Sequence, residues 1–166
     1  DILISEIMFE QPLNSFEYIE LYNASDKTID ASQIVFTTRK ADGSLNTGNS
    51  IGEKYLFLPD TYLAVSEDAE AVKLHHNCPE ESNVISTKWS ALNNTEGCIV
   101  ITDKNKTVIA DEVCYKSAWH HNLIADPKVV ALERTSFLLR SNESDTWHSA
   151  SSGSNYGTPG YKNSQY

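Results

Sequence analysis

The residues best suited to chemistry here are histidines, carboxylates and aromatics, and their spacing decides what they can do. Five histidines occur, as His75-His76, His120-His121 and His148. Adjacent residues on a strand point to opposite faces, and neighbours on a helix splay by about 100°, so neither doublet chelates a metal as a unit. No zinc-protease-type histidine spacing accompanies them, so no transition-metal site and no cofactor is expected. His120 and His148, each beside a tryptophan (Trp119 and Trp147), are expected to be hydrogen-bonded structural groups.

Among the acids, Glu67, Asp68 and Glu70, or Asp103 with Asn105, are the weak calcium candidates. None has EF-hand spacing, and a capped helix start and a solvated hairpin turn explain them better. Glu6, Glu17 and Glu20 raise glycoside chemistry, which needs two facing carboxyl groups. Glu17 and Glu20 point to opposite faces of a strand and make poor partners. Glu133-Arg134 is expected to supply a structural ion pair with one of these acids. No nucleophile elbow or phosphate loop is present, so the sequence reads as non-catalytic. The aromatics Tyr18, Tyr22, Trp89, Trp119, Tyr156 and Tyr161 are many for solvated faces. They either cover a second face of the fold or form a platform for glycan or protein, with Trp119, Tyr156 and Tyr161 the binding candidates.

These residues sit on short β-type runs. ILISEIMF, FEYIELYN, IVFTT, KYLFLP, TYLAVS, GCIVITD, TVIADEVCY and VVALERT alternate with turn residues, the pattern of an all-β sandwich or barrel. In the second run Ile19 and Leu21 share one face, with Tyr18, Glu20 and Tyr22 on the other. KNK joins two runs as a hairpin, with Ile99, Ile101, Ile109, Val113 and Tyr115 on one face and Cys98, Val100, Ala110, Glu112 and Cys114 on the other. SEDAEAVKLHH reads as a short helix, around residues 67–76, with Ser66 as a cap. Of three cysteines, Cys98 and Cys114 come near each other on one face of neighbouring strands, not necessarily directly opposite, an awkward geometry for a bond. Cys78 is an alternative partner for either.

The chain has 166 residues, fitting one domain. Its net charge of −10 opposes phosphate backbones and anionic membrane surfaces. No run of about 18 apolar residues is present, so no membrane insertion by a helix is expected. The chain opens directly on a strand without a signal peptide, as expected of a segment of a longer protein.

Ser5-Glu6-Ile7-Met8, Glu17 to Asn23 and Ile29-Asp30, followed by Leu132-Glu133-Arg134, Trp147-His148-Ser149-Ala150 and Thr158-Pro159-Gly160-Tyr161, resemble the lamin tail domain of Bacteroidetes secreted and surface proteins. Gln33-Ile34 stands where that family usually has Gly-Trp. The resemblance implies an immunoglobulin-like β-sandwich over residues 1–160, with 161–166 beginning a linker. It implies an interaction or adhesion module that is secreted, periplasmic or on the cell surface. The partners implied are domains of the same chain or cell-surface proteins. A glycan- or calcium-binding module is the alternative, and a DNA-binding role ranks last. The segment from Trp147 to Tyr166, almost free of aliphatic residues, is expected to lie over the sandwich, with Trp147, Tyr156 and Tyr161 as anchors.

Overall fold

A computed structural model describes residues 1–51 and 55–166. The expected run KYLFLP therefore begins, at Lys54, outside the described residues. The strands are β1 (Ile2–Met8), β2 (Tyr18–Asn23), β3 (Ile29–Asp30), β4 (Ile34–Thr38), β5 (Asn49–Ser50), β6 (Leu56–Phe57) and β7 (Tyr62–Ser66). Helix α1 (Ala69–His76) follows, then β8 (Val84–Ser86), β9 (Glu96–Asp103), β10 (Ile109–Lys116), β11 (Leu132–Arg134) and β12 (Trp147–Ser149). A six-stranded sheet runs β12-β11-β1-β2-β7-β8 and a four-stranded sheet β10-β9-β4-β5, with β3 and β6 paired separately. Pairing is antiparallel except between β7 and β8.

The two larger sheets pack as a β-sandwich. Alternate residues of the first (Ile4, Ile19, Leu21, Leu63, Leu132) meet those of the second (Phe36, Ile99, Ile101, Val113) in one buried cluster. The alternation of β2 thus places Ile19 and Leu21 inward. Its other face is not solvated: Tyr18 joins Met8, Ala64, Val72 and Ala150 in a second cluster under α1 and the C-terminal segment. Each fully buried aliphatic or aromatic side chain contributes about 1.5–3 kcal/mol.

Several sequence expectations are corrected. Asp68, not Ser66, caps α1: its side chain accepts from Ala71 N at 3.0 Å, while Ser66 ends β7 and donates to Glu17 O. Asn77, in the left-handed conformation, ends the helix. Trp147–Ser149, expected to lie over the sandwich with the rest of the C-terminal segment, is instead an edge strand of the six-stranded sheet. A β-bulge between Ile109 and Asp111 shifts the hairpin register. It turns Ile109 outward, 50% exposed, and sets Cys114 directly opposite Cys98. These two cysteines form the disulfide, and Cys78 is free.

The C-terminal segment lies on the outer face of the six-stranded sheet. Residues 157–165 form a strap that crosses β2, β1 and β11. Gly160 has φ +83°, and a Cβ there would stand 2.6 Å from the Asn83 backbone nitrogen. Asn163, expected to lie in a linker, is buried and donates to Ser5 O and Arg134 O. The strap remains bonded to the sheet as far as Gln165.

Candidate functional site

Three glutamates meet under the strap. Register pairs Glu6 of β1 with Glu20 of β2 on one side and Glu133 of β11 on the other. Cross-strand neighbours share a face, so all three point outward from the sandwich. The strap closes over them, and each is 0% exposed. Thr158 N donates to Glu6 Oε1 at 3.0 Å, Gly160 N to Glu20 Oε2 at 2.8 Å, and Gln165 N to Glu133 Oε2 at 2.9 Å. Ser164 Oγ also donates to Glu133 Oε2, at 2.7 Å, and Tyr18 Oη to Glu6 Oε1 at 2.9 Å. Glu20 Oε1 lacks such a partner: Ser5 lies close enough to favour the charged form of Glu20, but spends its hydroxyl hydrogen on Asn163 Oδ1.

No Lys or Arg forms an ion pair with these carboxyl groups among the described residues; the bridges are Lys27–Asp1, Arg39–Glu112, Lys128–Glu10 and Arg134–Asp111. Burial, and then the charge of Glu133, push the Glu6 carboxyl up to about 8, against the Thr158 and Tyr18 hydrogen bonds. Burial and then Glu6 raise Glu20 well above the usual carboxylate range. Lys73 places its charge near Cys78 rather than on the carboxyl groups. Burial holds His76 down at about 4, and raises the Cys78 thiol and the Tyr161 phenol to about 12 each.

Arg134, next to Glu133 in β11, points to the opposite face and is 2% exposed. Its partner is Asp111 (3.2 Å) rather than the expected Glu6, Glu17 or Glu20. The bulge in β10 explains this, because it turns Asp111 toward β1, where Asp111 also accepts from Ile4 N at 2.8 Å. Arg134 donates further to Ile4 O, Ser136 O, Leu139 O and Ser141 Oγ. Glu17 lies apart from the glutamate cluster, accepting from Trp89 Nε1 and Leu92 N.

The expected binding aromatics do not form one platform. Trp119 is half-buried against the core and lines a depression of about 460 Å³ with His120, His121, Asp145 and His148. Trp147 borders it but is buried, its Nε1 donating to Ser141 O. His120 is a structural group, bonded through Nδ1 to Ser149 Oγ at 2.9 Å. His148 is exposed, its ring 5.8 Å from that of His121. Tyr161 is part of the strap. Tyr156, 39% exposed, lines a separate depression of about 490 Å³ with Leu123, Ile124, Val129 and Ala150.

The calcium candidates are not gathered into a site. Asp68 is used as the helix cap, and Asp103 accepts from Asn105 N, Thr107 N and Val108 N across its own turn. Among the described residues, the group of potential metal donors that converges is Cys98, Glu112 and Cys114, whose thiols are spent in the disulfide.

Two features of the Tyr156 depression escape sequence reasoning. Val129 (φ 67°) and Tyr156 (φ 62°) both hold the left-handed conformation, which costs a bulky side chain on the order of 1–3 kcal/mol. They are tied to the fold by Val129 N donating to Glu10 O and Ala131 N to Tyr156 O. No local sequence signal marks either position, since glycine and asparagine are the usual occupants. Comparison with protein-family models, with curated proteins and with solved structures finds no match to this chain.

Proposed function

We propose that the chain is a lamin-tail-like, immunoglobulin-like module of a larger secreted or cell-surface protein, and that it acts in protein–protein contact rather than catalysis. The observation that carries this is the Tyr156 depression. Two strained non-glycine residues, Val129 and Tyr156, line a hollow of mixed character, with Ile124 and Ala150 beside Asp126 and Lys128, whose lip, Leu123, is 87% exposed. Strain that persists in a fold marks ligand clamps and contact sites, and an exposed apolar patch marks protein surfaces that are covered in use.

The family reading is supported by the mutual contact of its signature segments. Leu132-Glu133-Arg134 pairs with Trp147-His148-Ser149, and Thr158 bonds Glu133. The Cys98–Cys114 disulfide is compatible with an extracellular or periplasmic setting. No helix among the described residues is long and apolar enough to cross a membrane. The clustered carboxyl groups Glu6, Glu20 and Glu133 lie closed beneath the strap, which favours a structural role for them.

Surface plasmon resonance against the neighbouring domains of the parent protein tests the reading. Leu123→Asp and Tyr156→Ala should each weaken binding at least tenfold, while Leu74→Asp on α1 should not. Equal effects from all three variants, or turnover of glycoside or ester substrates that disappears in Glu6→Gln, would overturn it. Glycan-array retention lost on Trp119→Ala would favour the glycan-binding alternative instead.

A further inference from the structure

The bonding at Thr158 carries information about protons. Its hydroxyl lies 3.1 Å from Glu6 Oε2 and 2.8 Å from Glu133 Oε1. A hydroxyl has one hydrogen and can donate to only one of them. The other contact becomes a hydrogen bond only when a carboxyl group supplies the hydrogen. The Tyr18 hydroxyl, donating to Glu6 Oε1, has likewise spent its single hydrogen. Glu20 and Glu133 are also paired directly across strands with Glu6 between them. Three anions so placed, with no Lys or Arg paired to them among the described residues, would repel one another in a medium that screens poorly.

The strap supplies most of the bonds that tie these groups, and it is entered through Asn155 and Tyr156, consecutive residues at positive φ. We propose that Glu6, Glu20 and Glu133 form a proton-operated latch: while Glu6 and Glu20 hold protons the strap lies closed on the sheet, and their ionisation releases it.

The groups facing the cluster do not oppose this. From β2 comes Tyr18, from β7 Tyr62, from α1 His76, from the turn after α1 Cys78, and from the strap Tyr161. Burial keeps His76 neutral above about pH 4, and the phenols and the thiol are pushed upward. None becomes cationic between pH 7 and 9, so no compensating charge appears as the carboxyl groups ionise. The sign follows from linkage. A carboxyl that holds its proton to about pH 8 when covered, against 4.5 when free, favours the closed strap at low pH and loses that effect as pH rises through 8. For Glu6 alone, the closing equilibrium falls about tenfold between pH 7 and 9, and Glu20 adds to it.

The latch does not rest on the protein-contact reading, and hydrogen exchange on the intact chain tests it separately. The amides of Thr158, Gly160 and Gln165 are compared with amides of β9, which cancels the intrinsic rise of exchange with pH. Their relative protection should fall more than tenfold from pH 7 to 9 and recover on return to pH 7. The double variant Glu6→Gln/Glu20→Gln should keep it nearly constant. A ratio independent of pH, or loss of β9 protection in parallel, overturns the latch.

If the double variant does not fold, Cys78 reports on the unaltered protein, because its thiol donates to Pro159 O of the strap. Titration of a thiol held near 12 raises alkylation about a hundredfold from pH 7 to 9. A latch that opens about tenfold more often and returns the freed thiol to its ordinary range carries the rise severalfold beyond that, and a rise no greater than the hundredfold would refute it.

Discussion

Arg134→Met probes the join between the two sheets. The substitution keeps the volume of a long side chain and removes every donor. Arg134 Nε serves Ser136 O, Nη1 serves Ile4 O, Ser141 Oγ and Asp111 Oδ2, and Nη2 serves Leu139 O. The contributions do not simply add, because burial of the guanidinium itself opposes folding and holds its pKa below the ordinary value. What a methionine side chain cannot repair is the set of acceptors left behind. Ile4 O is buried, and Asp111 becomes a carboxylate without a cation. Orphaned buried groups cost about 1–3 kcal/mol each, and breaking one side of a buried pair about 3–5 kcal/mol.

We therefore expect a loss of about 3–5 kcal/mol in urea unfolding at pH 7. In a domain of this length that lowers Tm by roughly 6–20 °C. Because part of the loss is the abandoned Asp111 charge, Asp111→Asn should couple to it, and the double variant should lose about 1–3 kcal/mol less than the sum of the singles. Circular dichroism over a urea series measures all four proteins. A single-variant loss below about 1 kcal/mol refutes the network as a stabilising unit. A strictly additive cycle refutes the ion pair within it.

Removing the disulfide as Cys98→Ser/Cys114→Ser reopens a loop with a sequence separation of 16, which should cost about 3 kcal/mol, read as a lower urea midpoint. Gly157→Ala introduces a Cβ that would meet Tyr18 Oη at 2.4 Å and His76 Cε1 at 2.7 Å. It should destabilise by about 1–3 kcal/mol and loosen the strap in hydrogen exchange. Stability should also depend on pH, with a maximum at about pH 6.5. Glu6, raised to about 8, gives stability that fades as pH rises through 8, whereas His76 and His120, both held near 4, give stability that fades as pH falls from 6.5 through 4. Urea midpoints that rise steadily from pH 6 to 9 would contradict that assignment.

Much of the scaffold is legible in residue order. The inward pair Ile19 and Leu21, the hairpin around Asn105 and the helix ending at His76 all follow from period and turn chemistry. The aromatic excess also has its reason: Tyr18 covers a second face. What residue order conceals is register and cover. One extra residue in β10 converts cysteines that are merely close into a directly opposed pair, exchanges Ile109 for Asp111, and so decides the partner of Arg134. The glutamate cluster is hidden for a different reason. Alternation assigns Glu20 to the outer face, where a carboxylate ordinarily meets water, and Glu6 and Glu133 are strand glutamates of the same kind. The element that excludes water from them is a polar segment of Thr, Gly, Asn and Ser. It has almost no aliphatic content to announce burial, because it binds through hydrogen bonds.

The strap has a consequence for biosynthesis. Strand β1 contains Ser5 and Glu6, which leave the ribosome ahead of the rest of the sandwich, yet their partners are Asn163, Thr158 and Glu133. The centre of the six-stranded sheet is therefore incomplete until the strap has emerged. Until then the outer, acidic face of β1 and β2 is uncovered, although the partners of their apolar inner face, Phe36, Ile99, Ile101 and Val113, have already been made; sheets left incomplete in this way are prone to aggregation. The charge on that outer face keeps nascent chains apart while they wait, so the same glutamates that must hold protons in the folded domain act as solubilising groups during its synthesis.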